Sequence, residues 1–273
     1  MLITDTVDIS DWTLLSERLS TRNYISPDGK WMMKYFPSLG EDDIAALKRE
    51  QEISSYVLSL GIPTPEAGGI VAVKGGGLGS VYQNIRNKKS LARAISEDDA
   101  LVVPYMRKCV EIGNLIHSKA CDKTLFEPIK QRMIGKLPLA TMYSDREKAR
   151  IEDFLNAVPE CDHCLHGDFH PGNYIISEEG IFAIDLGLFS YGSPIFDWAN
   201  WYFLSHYFIY PERVFHLDRE RVLKCWDISF IDSGMDEEQV SILASFYSLN
   251  YIGIMPTAMF TLENNKKLTT FFK

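Results

Sequence analysis

Apolar and polar positions change period along the chain, and the changes mark its elements. Over Lys30–Phe36 they alternate, with Trp31, Met33 and Tyr35 on one face and Met32, Lys34 and Phe36 on the other, as in a strand. Asp28-Gly29 separates this stretch from Asn23–Ser26, so the two read as a hairpin. From Glu41 the period lengthens. Ile44, Leu47, Ile53, Tyr56, Val57 and Leu60 recur at helical spacing behind the acidic first turn Glu41-Asp42-Asp43. Gly61 suits the C-terminal cap, and Pro63 and Pro65 stop the helix. Gly69–Val73 and Ser80–Ile85 then read as two strands around Gly75-Gly76-Gly77.

The polar run Arg86–Ser90 is the expected boundary between an N-terminal lobe, residues 1–85, and a larger C-terminal lobe, residues 86–273. Beyond it the pattern is mainly helical. Tyr105, Cys109, Ile112 and Ile116 form one stripe. Ser144 and Glu147 form a capping box ahead of Ile151, Phe154, Leu155 and Val158. One short β-like patch interrupts the helices, with Tyr174–Ile176 and Ile181–Ile184 flanking a turn at 177–180.

Composition narrows the class without naming a function. The chain has 273 residues, 46% of them hydrophobic and 24% charged, which is ordinary for a globular protein. Its net charge of −9 is spread evenly, and no basic face or tail stands out, which argues against a nucleic-acid partner. Five cysteines at irregular spacing do not form a secreted disulfide framework, and no leader peptide is expected, so the cytoplasm is the default location. Ser241–Leu262 carries no charge, but its Ser, Thr, Asn, Gly and Pro residues favour buried helices broken near Pro256 over a membrane span.

The candidate chemistry lies just before the β-like patch, in Leu165-His166-Gly167-Asp168-Phe169-His170-Pro171-Gly172-Asn173, and just after it, in Ile184-Asp185-Leu186-Gly187. An Asp, an Asn five positions later and a second Asp delivered by a hairpin suit metal-assisted phosphoryl transfer. Asp185 and Asn173 supply the oxygen ligands that Mg²⁺ prefers, and Asp168 is left to accept the proton of an attacking hydroxyl. Taken singly, Asp and Asn in a Pro-Gly loop are ordinary turn formers; the joint pattern carries the reading.

These motifs resemble the aminoglycoside phosphotransferase and choline kinase-like family, small-molecule relatives of the protein kinases. The match runs through His166-Gly167-Asp168 with Asn173, Asp185-Leu186-Gly187, and Tyr191-Gly192-Ser193-Pro194 leading to Asp197. The resemblance implies an α+β, two-lobed protein-kinase-like fold with a small β-rich N-terminal lobe and a mainly helical C-terminal lobe. It implies ATP and Mg²⁺ as cofactors and a small-molecule hydroxyl as acceptor. Asp168 is then the catalytic base, Asn173 and Asp185 the metal ligands, and Asp197 a brace from the following helix. His166 holds the loop by hydrogen bonds, and His170 is a loop residue without an assigned role. Lys34 belongs on the phosphates and Met32, two residues earlier, against adenine, whose edge meets the backbone of Gln83, Asn84 and Ile85. Glu50 and Glu52 compete as the partner of Lys34. Glu50 is preferred, because it stands thirteen residues before Pro63 and on the Ile53/Val57 side of the helix.

One departure stands out. Glu17–Asn23, the link between the first two strands of such a lobe, has no glycine, so Ser20 or Thr21 would have to meet the phosphates. This leaves ATP against GTP open and motivates an alternative, a catalytically silent nucleotide- or partner-binding protein; Lys34, Asp168, Asn173 and Asp185 oppose it. A third reading places zinc on Cys161, His163, Cys164, His166 and His170, but no second ligand pair follows downstream. The aromatic run from Trp198 to Tyr210 reads as core packing rather than as a cage for a quaternary ammonium.

Overall fold

The structure is a computed structural model, and it describes residues 6–17, 20–208, 212, 215–231 and 233–253. The chain packs as two compact units. One comprises Met1–Lys88 together with Ile175–Gly187, and the other Lys89–Tyr174 with Leu188–Lys273. The chain thus passes back into the first unit long after leaving it, which a boundary drawn at residues 85 and 86 does not provide for.

The first unit is built on a mixed sheet. Its strands are β1 (Thr6–Val7), β2 (Thr13–Glu17), β3 (Arg22–Ile25), β4 (Trp31–Phe36), β5 (Ala67–Val73) and β6 (Leu78–Gln83), in the order β1-β5-β6-β4-β3-β2, with helix α1 (Glu41–Ser59) between β4 and β5. The 28–29 turn forms as read, and Gly29 N donates to Ser26 O at 2.8 Å. β3 pairs antiparallel with β4, and β4 with β6 in a register that sets Lys34 opposite Ser80. The alternation along β4 sorts its side chains as expected. Met33 packs with Val73 and Val81 on one face, and Phe36 packs with Leu47 and Ile70 on the other. Strand β1 is an addition to the sequence reading, in which β2 is implied only as the strand ahead of the Glu17–Asn23 link. β2 is exposed along its whole length, Leu14 and Leu15 included, so no buried face imprints a period on it.

Helix α1 begins where its acidic turn predicts, with Gly40 N donating to Asp43 Oδ2 at 3.1 Å, and ends at Gly61, whose φ of 76° only glycine adopts without strain. Gln51 ties the helix to the sheet. Its amide donates to Ser80 Oγ at 2.9 Å and to Val81 O at 3.0 Å, and accepts from Gly69 N at 2.9 Å, where the β5–β6 register slips by one residue.

The second unit opens with a short strand β7 (Lys89–Ser90), then α2 (Leu91–Glu97), α3 (Val102–His117), α4 (Ile129–Lys136) and α5 (Asp145–Ala157). After strand β8 (Cys164–Leu165) come the paired strands β9 (Tyr174–Ser177) and β10 (Gly180–Ala183), the stretch that, from Ile175, belongs to the first unit. Strand β11 (Ser190–Tyr191) pairs antiparallel with β8. Helices α6 (Ile195–His206), α7 (Arg219–Phe230) and α8 (Glu237–Ser245) and a 3₁₀ turn at Tyr247–Tyr251 complete the described chain. The Ser144–Glu147 capping box forms at the start of α5. Trp198, Trp201, Tyr202, Phe203 and Phe208 are buried and Tyr207 is half-buried, so the run is mainly core; Tyr210 lies outside the described residues. No described helix is long and apolar enough to cross a membrane. The expected break near Pro256 lies outside the described residues.

Candidate active site

The loop after β8 is folded around one buried carboxylate. Asp197, in the first turn of α6 and fully buried, accepts from the backbone N–H of His166 through Oδ2 and of Gly167 through Oδ1, both at 2.9 Å. Nε2 of His117, at the end of α3, lies 2.8 Å from Oδ2. Two helices thereby fix the loop through a single side chain. Gly167 is obligatory at its position. Its φ is 81°, and a Cβ there would stand 1.9 Å from Leu188 O.

The same loop presents Asp168. Its Oδ2 accepts from Asn173 Nδ2 at 3.0 Å and lies 3.5 Å from His170 Nε2. Its Oδ1 accepts from Tyr251 Oη at 2.6 Å and from Asn200 Nδ2 at 3.2 Å. Burial pushes this carboxyl up, but His170, Tyr251 and His166 outweigh it and hold the group far below the usual carboxylate range. Asp168 is therefore ionised at any ordinary pH.

His166 is fully buried, and its Nδ1 lies 3.3 Å from Asp168 N, a hydrogen bond within the loop. His170 has more to do than its placement as a plain loop residue suggested. Its Nδ1 accepts from Gly172 N at 3.0 Å, so its proton sits on Nε2, facing Asp168. A Cβ on Gly172 would come within 2.8 Å of that ring. Asn173 spends its amide N–H on the backbone and side chain of Asp168, and no described residue donates to its Oδ1.

The first unit carries a separate cavity of about 500 Å³ that takes in Met32, Lys34, Glu50, Tyr82, Gln83, Lys88 and Asp185. This is within the usual range for small-molecule sites. Lys34 is exposed, with its ammonium 5.4 Å from the centre of the Phe36 ring. Glu50 is half-buried. Burial raises its carboxyl above the ordinary value, and nearby Lys34 opposes the shift. Burial and the charge of Glu50 push the Tyr82 phenol up in turn. Glu52 turns outward, 51% exposed and 3.7 Å from Arg49. Asp185 follows β10 at φ 60°, an uncommon backbone state for a residue with a side chain, and has no hydrogen-bond partner among the described residues.

At the end of β6, Gln83 N and Asn84 N are bonded to Glu66 O and Lys30 O, so of the three expected adenine-facing amides only that of Ile85 has no described backbone acceptor. Ser20 is exposed between β2 and β3, and residues 18 and 19 of that link lie outside the described residues. Among the described residues nothing donates to Asn173 Oδ1 or to Asp185, and each is a hard oxygen donor of the kind that Mg²⁺ prefers. The cysteine–histidine cluster does not form a metal site. No three His, Cys, Asp or Glu side chains converge on one point among the described residues, and Cys164 instead faces Cys121.

Sequence reading missed His117, Asn200, Tyr251 and Gln51. Each is a polar residue at an apolar position of its helix or turn, and that mismatch is the one signal available before the fold is known.

Residues 135–218 match the phosphotransferase enzyme family. The sequence matches no curated protein at a significant level. The fold resembles several solved structures over nearly the whole chain. Amicoumacin kinase superposes with a TM-score of 0.59 at 14% identity, covering 99% of this chain and 89% of that one. A thermostable mutant of aminoglycoside phosphotransferase APH(4)-Ia gives 0.56 at 13% identity, covering 96% and 92%. A choline/ethanolamine kinase family protein from Mesorhizobium loti gives 0.55 at 12% identity, covering 96% and 88%. The chain thus resembles the aminoglycoside phosphotransferase and choline kinase-like proteins, and its fold is the α+β, protein-kinase-like class that its motifs imply, a sheet-based unit followed by mainly helical chain.

Proposed function

We propose that this protein is a small-molecule kinase that transfers the γ-phosphoryl group of ATP to a hydroxyl group. The observation that carries the reading is the Asp168 carboxylate, held ionised and oriented by residues from three separate stretches of the chain: Asn173 in its own loop, Asn200 on α6 and Tyr251 on the last turn. Asp197 already braces the loop by accepting two of its backbone N–H groups, whereas the donors on the Asp168 carboxylate are all side chains, so Asp168 is not needed as a second brace.

The state of Asp168 defines its part in the reaction. A carboxylate so far below its ordinary value is a weak base, so it contributes little by removing a proton early. Phosphoryl transfer has a loose transition state in which the hydroxyl proton leaves late, and there the gain lies in orientation. Of the four donors around Asp168, His170 Nε2 is the most distant at 3.5 Å. The acceptor hydroxyl therefore docks on Oδ2, at the place that His170 holds least firmly.

In the first unit, Lys34 is assigned to phosphate oxygens, with Glu50 as the carboxylate that holds it extended, and Met32 to the adenine face. Gln83, Asn84 and Ile85 meet the adenine edge through the groups left free by the sheet, and Ser20 remains the candidate phosphate contact in a link without glycine. Asn173 and Asp185 would hold magnesium, which neutralises phosphate charge when bound. Among the similar structures, amicoumacin kinase is a complex with AMP-PNP and Ca²⁺, and an APH(4)-Ia mutant one with ADP and hygromycin B. These support a nucleotide and a divalent cation here, and an amino sugar, amino alcohol or related metabolite as acceptor.

The test is a phosphorylation screen of a hydroxyl-bearing metabolite library with labelled ATP and Mg²⁺, repeated with Asp168→Asn. Transfer to one acceptor class, reduced roughly 10²–10⁴-fold in the variant, is the expected result. Equal transfer by both proteins would remove Asp168 from the reaction.

A further inference from the structure

The cavity of the first unit holds two lysines in different electrostatic settings. Lys34 is balanced, because Glu50 feels its charge, and Asp185 lines the same cavity. Lys88 is not. It is half-buried within the polar run that follows β6, and among the described residues its ammonium meets only the Met32 thioether, at 3.6 Å. A thioether is a weak acceptor, and an ammonium carries three donors. No carboxylate pairs with Lys88 among the described residues, and burial lowers its pKa with no anion to offset the cost.

The two cations also stand at different places. Met32 and Lys34 point to the same face of β4 two residues apart, which separates them by about 7 Å along the strand. Lys88 therefore belongs to the Met32 end of the cavity, and Lys34 to the end where Glu50 feels the charges of both Lys34 and Asp185. A ligand with phosphates on Lys34 lays its nucleoside portion toward Met32, where the Lys88 ammonium has room for acceptors that the described residues do not supply.

We propose that Lys88 is a ligand-binding residue of this cavity, donating hydrogen bonds to acceptor atoms on the nucleoside half of the bound nucleotide, on the sugar hydroxyls or on the base edge. This rests on the nucleotide reading above and adds to it a residue that sets nucleotide preference.

The test is calorimetric titration of the full chain and of Lys88→Met and Lys88→Arg with Mg²⁺-ATP, Mg²⁺-2′-deoxy-ATP, Mg²⁺-GTP and Mg²⁺-tripolyphosphate, after thermal melts show that the variants are folded. Lys88→Met, which keeps the stem and its contact with Met32, should bind ATP about tenfold more weakly and tripolyphosphate as the parent does; Lys88→Arg should keep most of the affinity. If the parent prefers ATP over 2′-deoxy-ATP and Lys88→Met does not, the acceptor is the sugar. If the ratio of ATP to GTP affinity changes instead, it is the base edge. Unchanged ATP affinity in Lys88→Met, or an equal loss for ATP and tripolyphosphate, overturns the inference and leaves the nucleotide reading intact. A parent protein that binds none of the four ligands overturns both.

Discussion

Tyr251 donates its hydroxyl to Oδ1 of Asp168 at 2.6 Å across 83 residues of sequence. The phenol has one proton and two acceptors within reach, Asp168 Oδ1 and Asn200 Oδ1. The ionised carboxylate is the stronger acceptor and takes it. Burial and the neighbouring charge of Asp168 in turn push the phenol far above its ordinary value, so it stays a donor. The last described turn of the chain thereby sets the electronic state of a residue in the central loop.

Tyr251→Phe removes that donor without changing the shape of the core. One lost hydrogen bond to a charged group should raise the Asp168 pKa by about one unit. The carboxylate stays ionised across the working pH range even so, and the expected outcome is a kcat lowered roughly tenfold by the loss of one orienting donor, with the pH profile unchanged and thermal stability nearly retained. A variant with the parental kcat would show that Tyr251 does not act on Asp168.

Lys34 and Glu50 should matter through each other. Lys34→Ala and Glu50→Ala are each expected to lower kcat/KM for ATP, and the double variant to lose clearly less than the product of the two effects. The same cycle with Glu52, which faces outward toward Arg49, should be additive. Coupling of Lys34 to Glu52 instead of Glu50 would reverse the assignment.

Gln51→Ala leaves Gly69 N, Ser80 Oγ and Val81 O without their partner in a buried place. Stranding buried polar groups costs about 1–3 kcal/mol in all but the most forgiving sites. A lower urea midpoint with unchanged slope is expected, and a midpoint equal to the parent's would show that water replaces the glutamine.

Two carboxyls should pull the pH dependence of stability in opposite directions. Asp168 is depressed in the folded protein, so its contribution is present above the ordinary carboxylate value, about 4, and is lost as the pH falls. Glu50 is raised by burial, so folding is favoured below its ordinary value and that advantage is lost as the pH rises through its folded value. Denaturation of Asp168→Asn should be flatter than the parent's below about pH 4. Glu50→Gln should be more stable than the parent at neutral pH while binding ATP less well. A destabilised Glu50→Gln at neutral pH would mean that its pairing with Lys34 outweighs its burial.

Much of this protein was determined by local sequence. The alternation from Trp31 to Phe36 sorts Met33 from Lys34 whatever the rest of the chain does, because successive strand side chains point to opposite faces. The acidic turn at 41–43, Gly61 and the Ser144–Glu147 box bound their helices by bonds that span only a few residues. The spacing from Asp168 to Asn173 spans one short loop and leaves little freedom. Strand β2 left no such trace, because it is exposed on both faces. The convergence of Tyr251, Asn200 and His117 on the loop at 165–173 was decided only in the folded chain. These residues lie 31 to 83 positions from their partners. Contacts at that range depend on how helices pack, and packing depends on the shape of every buried side chain at once. The lack of a described carboxylate partner for Lys88 is of the same kind, since a sequence shows that a lysine is present but not which side chains the fold brings to it.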